Sequence, residues 1–101
     1  MMLTGRHVGA EEAKELGIVN EVVSQSELID TARRWAKDIE ACSPMSIRAT
    51  KQVAYQSLNE SDLEKSMQAQ YSAVGDLLSS EDFVEGPVAF AEKRAPEWKG
   101  R

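Results

Sequence analysis

Apolar residues recur along this chain at helical spacing, and its turn and cap residues cut the pattern into four or five helical segments. The first is short. Gly9 stands where an N-cap is needed, Glu11 and Glu12 place negative charge in the first turn, and Gly17 follows Leu16 as a stop. Ile18, Val19, Val22 and Val23 then flank Asn20 and Glu21, a β-branched run that predicts at most one short strand near 18–23, or an extended connector. An isolated strand must pair, and the chain offers no obvious second one, a hint that part of the structure is missing.

Ser24 or Ser26 is placed to cap a second helix, whose stripe is Leu28, Ile29, Ala32, Trp35, Ala36 and Ile39. Ser43-Pro44 breaks the pattern and restarts it, with Ser43 as N-cap and Pro44 at the first helical position. That helix runs to about Leu58, with Ile47, Ala54 and Leu58 on one face, and Asn59 ends it. Ser61 with Glu64 reads as a capping box. Leu63, Met67, Tyr71, Val74 and Leu78 then predict one long amphipathic helix. Gly75 inside it costs roughly 1 kcal/mol relative to Ala and points to a close helix approach. Ser79, Ser80, Glu81 and Asp82 open a final helix with Phe83, Val84, Val88, Phe90 and Ala91 on its apolar side. Pro87 in that helix predicts a kink or a restart at Gly86-Pro87, since an interior proline costs about 3 kcal/mol. Ala95–Arg101 reads as an extended tail. The fold class is therefore mainly α, in one domain spanning 1–101.

Composition narrows the chemistry. The chain has 101 residues, 42% hydrophobic and 29% charged, ordinary for a globular protein. Twelve basic against seventeen acidic residues leave a net charge of −5, which argues against a nucleic-acid partner but leaves room for a small anion beside local cations. Cys42 is the only cysteine, so neither an internal disulfide nor a metal cluster is expected. No apolar run approaches the roughly 20 residues of a membrane span, and no signal-peptide pattern opens the chain; a cytoplasmic protein without membrane contact is expected.

No catalytic constellation emerges. His7 is the single histidine, with no orienting acid in a motif relation to it. The six glycines are scattered and make no phosphate loop. Glu11, Glu12, Glu60, Glu64, Glu81 and Asp82 read as helix-start charges and solvated faces. One local grouping invites a ligand: Phe90, Lys93 and Arg94 lie within about one helical turn, an aromatic ring beside two cations that suits a planar base with attached phosphate. The same residues also read as a core phenylalanine beside a solvated C-terminal turn.

Three stretches in order resemble one family. LTGRHVGAEEAKELGIVNEVV, SPMSIRATKQV (with Lys51 at a lysine position) and SSEDFVEGPVAFAEKRAPEWKGR are similar to the C-terminal region of enoyl-CoA hydratases and isomerases, the crotonase family. In the last stretch Glu85, Gly86, Ala89, Phe90, Glu92, Lys93, Arg94, Pro96, Gly100 and Arg101 match the family ending, with Trp98 at its aromatic position and Pro87 as the departure. The resemblance implies the C-terminal helical, trimer-forming part of a β-β-α spiral enzyme that acts on acyl-CoA thioesters, with the N-terminal spiral core absent here. It implies no tightly bound cofactor, CoA thioester as the substrate of the full-length protein, and a homo-oligomer, trimer or hexamer. The oxyanion hole and catalytic glutamates of such enzymes precede the LTG stretch, so no catalytic residue is carried over and this chain alone is expected to be inactive. By the same resemblance, Phe90 and Lys93 take the positions that commonly approach the adenine and 3′-phosphate of CoA bound to a neighbouring subunit. A stand-alone helical interaction module without CoA binding is the alternative.

Overall fold

The computed structural model describes residues 2–101. Among them lie six helices and no strand. The chain divides into a first unit ending at Ala36 and a second from Lys37 to Arg101.

In the first unit, α1 (Ala10–Glu15) starts after Gly9 and ends in a Schellman turn. Gly17 N–H bonds the Lys14 carbonyl at 3.0 Å and Ile18 N–H that of Ala13 at 2.8 Å, a closure that needs the positive φ of +72° that Gly17 supplies. Arg6 forks both carboxylate oxygens of Glu12, at 2.8 and 2.9 Å, and ties the preceding loop to the helix. The 18–23 segment forms no strand: it bends at 18–20 and then runs as a connector at 21–23. Glu21 in it accepts from Trp35 Nε1 at 3.0 Å and from Arg34, whose guanidinium stands 5.9 Å from the Trp35 ring. Ser24 caps the turn before α2 (Leu28–Glu40): its amide and hydroxyl both donate to the Glu27 carboxylate, one half of a capping box.

The second unit carries α3 (Pro44–Ser57), α4 (Leu63–Gln68), α5 (Ser72–Leu78) and α6 (Glu81–Glu92). Ser43 caps α3 as expected, its hydroxyl oxygen accepting from Met45 and Ser46 amides at 3.2 and 3.3 Å. Helix α3 packs on α5, and Gln52 stitches them: its Oε1 accepts from Ala73 N–H at 2.8 Å while its Nε2 donates to Ser72 Oγ at 3.0 Å. Three expectations are corrected here. The cap of α4 is Asp62, not Ser61, since the Asp62 carboxylate receives the Glu64 and Lys65 amides. The single long helix over 63–78 is two, because Ala69 adopts an extended conformation and the Tyr71 hydroxyl folds back to donate to the Ser66 carbonyl at 3.0 Å. A Cβ at Gly75 would meet no atom within 4 Å, so no close helix approach occurs there.

Helix α6 runs unbroken through Pro87. Proline removes one hydrogen bond from the ladder, yet the helix continues from Glu81 to Glu92 without stopping or restarting. Its inward stripe is Asp82, Glu85, Gly86 and Ala89, with Asp82 3% and Ala89 2% exposed. The large apolar residues expected to face the core lie outward instead, Phe83 at 48%, Val84 at 63% and Phe90 at 87% exposure. Small inward residues leave room for the C-terminal segment, which lies on the helix rather than trailing away from it. Trp98 covers Gly86, where a Cβ would come 3.4 Å from the ring, and its Nε1 donates to the Ala41 carbonyl at 2.8 Å.

Asp82 is the junction. Its carboxylate accepts from Ser43 Oγ at 2.6 Å, Lys99 N–H at 2.7 Å and Gly100 N–H at 3.1 Å, joining the starts of α3 and α6 to the tail. Ser43 thus acts as cap and as Asp82 donor through one hydroxyl. Ser43→Ala is expected to destabilise the protein by about 1–2 kcal/mol, whereas Ser61→Ala, at a serine that caps nothing, changes it by less than about 0.5 kcal/mol. Paired urea melts read both values.

Candidate binding site

Helix α6 ends where the sequence placed its ligand-binding grouping. Lys93 occupies the left-handed region at φ +56°, ψ +38°, the one non-glycine residue with positive φ among the described residues. Its N–H bonds the Phe90 carbonyl at 3.2 Å and the Arg94 N–H bonds that of Ala89 at 3.0 Å, a Schellman closure with lysine at the position that favours glycine. Phe90 and Lys93 thus share the last turn, both exposed.

The two adjacent cations have opposite fates. Arg94 is exposed but committed to protein acceptors. It forks Glu85 at 2.5 and 3.0 Å, bonds Glu92 Oε2 through Nε at 2.6 Å, and reaches the Ala95 carbonyl at 3.2 Å. Lys93 makes no ion pair among the described residues. All three grouped residues are exposed, but Arg94 is engaged by protein carboxylates whereas Lys93 makes no ion pair among the described residues.

Glu85 has a second role. Its Oε1 accepts the Glu97 N–H at 2.6 Å, so one carboxylate holds both the arginine and the tail. The Arg94 guanidinium first, and the Glu97 amide second, hold its pKa down at about 2. Asp82 is also depressed, chiefly by the Ser43 hydroxyl and then by the Lys99 and Gly100 amides. Neither group has an arrangement suited to proton transfer, since both are saturated with donors. Reading Asp82 as a solvated helix-start charge was incorrect: burial with three donors makes it a structural anion. The Glu85–Arg94 pair spans nine residues and follows no helical spacing rule, so only the ordered family ending could have signalled it.

A groove of about 490 Å³ runs beside α6, lined by Val84, Val88, Glu81, Glu85, Glu97 and Lys99. Three carboxylates against one lysine make it unsuited to a phosphate. No cluster of three or more His, Cys, Asp or Glu able to hold a metal occurs among the described residues. No helix there is long and apolar enough to cross a membrane.

The enoyl-CoA hydratase/isomerase family profile matches residues 1–101. The chain belongs to this family. Among curated members, carnitinyl-CoA dehydratase from Escherichia coli O157:H7 is 49% identical over 105 aligned residues, covering 100% of this chain and 40% of that protein. The Salmonella typhi protein of that name is 48% identical over the same shares. An enoyl-CoA hydratase from Mycobacterium marinum superposes with a TM-score of 0.88 at 35% identity, over 98% of this chain and 39% of its own. One from Bacillus anthracis gives 0.88 at 34%, over 98% and 38%. The chain thus spans about two-fifths of the length of the relatives it matches and corresponds to the C-terminal part of this hydratase/isomerase family.

Two outcomes follow. Lys93→Gly removes a left-handed side chain and is expected to stabilise the protein by about 1 kcal/mol, raising the calorimetric midpoint by roughly 4–8 °C. Glu85 titrates below its ordinary value, so its contribution is present above about pH 4.5 and is lost as pH falls toward about 2. Thermal melts between pH 7 and pH 3 should show Glu85→Gln converging on the wild type as the pH drops; a constant gap would contradict this.

Proposed function

We propose that this chain is the C-terminal part of an acyl-CoA-processing enzyme of the hydratase/isomerase type. In this reading it contributes subunit contacts and the edge of the CoA site, and is inactive alone. The observation that carries the reading is the match of the whole chain to the C-terminal two-fifths of acyl-CoA enzymes. Addition of water to an enoyl-CoA, or its loss from a hydroxyacyl-CoA, is the reaction supported best, because relatives at 48–49% identity are named dehydratases and structural neighbours hydratases. Carnitinyl-CoA is accordingly a candidate substrate of the full-length protein.

Phe90 and Lys93 fit the CoA edge by chemistry. An 87% exposed ring offers a stacking face to adenine, and an unpaired ammonium one turn away offers a counter-charge to the 3′-phosphate. The role of the chain in assembly has support from its surface. It exposes 8399 Å², against roughly 7,000 Å² for two separate compact units of the same total mass. Trp35, Tyr55, Leu58, Leu63, Met67 and Phe83, exposed by 42 to 84%, are the kind of apolar surface that a spiral core and neighbouring subunits cover. Catalysis then depends on residues from the remaining three-fifths of the enzyme, since this chain presents no acid–base pair or nucleophile with a base.

The test is hydration of crotonyl-CoA by the full-length enzyme and by the 101-residue chain at equal concentration. Turnover by the first and background rates by the second are expected. Turnover by the isolated chain well above background would sink the assignment of catalysis to the missing part.

A further inference from the structure

Two carboxylates precede Lys93 on α6: Glu92 immediately before it and Glu85 eight residues back. Arg94 occupies both: Glu85 by a bidentate fork and Glu92 through Nε. The same fork joins the residue after Lys93 to the body of α6, and Glu85 also holds the Glu97 amide beyond it. The backbone on the C-terminal side of Lys93 is therefore pinned, with Arg94 N–H also bonded to the Ala89 carbonyl, while the Phe90 carbonyl holds the N–H of Lys93 itself. A lysine needs such restraint to stay left-handed, because nothing in its own side chain favours that conformation.

We propose that Arg94 is a positioning residue for the CoA edge: by engaging Glu85 and Glu92 together it holds Lys93 in its left-handed turn and keeps neighbouring carboxylates off its ammonium. Arg94 touches no ligand itself. Its guanidinium is filled by protein acceptors, and its adjacent lysine stays free because of that. The inference rests on the CoA-contact reading of Lys93, and the experiment separates the two.

The test is calorimetric titration of the full-length enzyme with CoA and with 3′-dephospho-CoA, for wild type, K93A, R94Q and the K93A/R94Q double variant. K93A should weaken CoA about tenfold, within the range of a charge-assisted hydrogen bond, and leave 3′-dephospho-CoA unchanged. R94Q should do the same although it removes no contact. The double variant should bind CoA no more weakly than K93A, since Arg94 acts through Lys93. Unchanged CoA affinity in R94Q, beside a loss in K93A, overturns the positioning role alone. Equal losses for both ligands in R94Q, or additive losses in the double variant, overturn it in favour of general destabilisation. No effect of K93A on CoA removes the contact reading and this role with it. Should R94Q fail to fold, R94K keeps the charge without the fork; full CoA affinity in R94K overturns the proposal, and a loss confined to CoA supports it.

Discussion

A carboxylate taken out of water must be given donors, and the second unit is organised around satisfying one. Asp82 is 3% exposed and takes a serine hydroxyl and two backbone amides. The donors come from two pieces of chain: the start of α3, and two successive residues of the tail. The tail cannot leave without stranding the charge, and α3 cannot shift without losing its cap. Glu85, one turn later on the same stripe, repeats the device with Arg94 and the Glu97 amide. Two acidic residues on the inner face of α6 thus do what large apolar side chains do in an ordinary small core. The buried apolar residues, Ala49 and Ala89, are too small to do it.

This explains why the large apolar residues face outward. Phe83, Val84 and Phe90 on α6, and Leu28, Ile29, Trp35 and Ile39 on α2, are 42 to 87% exposed. Helical periodicity finds such stripes but is silent on what covers them. The chain corresponds to about two-fifths of its relatives' length, and in the reading proposed above the rest of the enzyme and neighbouring subunits cover these stripes.

Local signals in the sequence were therefore legible, and their partners were not. Gly17 as a stop, Ser43 with Pro44 as a start, and Ser80 ahead of two acids all act as their chemistry requires, because a cap is satisfied within three or four residues. Ser61 misled because Asp62, the stronger acceptor beside it, takes the Glu64 amide that Ser61 would have capped, and the Lys65 amide beyond it. The helix over 63–78 was read as continuous because the apolar spacing carries across Ala69, where the backbone turns extended. The clasp was hidden for another reason. Asp82 to Gly100 and Trp98 to Ala41 are separations at which no periodicity operates, and an acid in a first turn is ordinarily a solvated dipole charge. At the binding end, Phe90 and Lys93 were visible from their spacing, but the opposite fates of Lys93 and Arg94 depend on Glu85, nine residues back.

Those fates bear on the proposed CoA contact, because the chain as a whole carries a net charge of −5. Long-range steering is against it, so attraction must be local and made over a few ångströms. Arg94 pairs with Glu85 and Glu92, and Lys93, without an ion pair among the described residues, leaves a cation in the same turn as an exposed ring. A glycine at position 93 would close the helix with less strain, and an arginine engaged like its neighbour would add stability; lysine in a left-handed turn does neither. A side chain held where folding alone would not choose it points to a demand other than folding, and the charge and aromatic face gathered at this turn match that demand in kind.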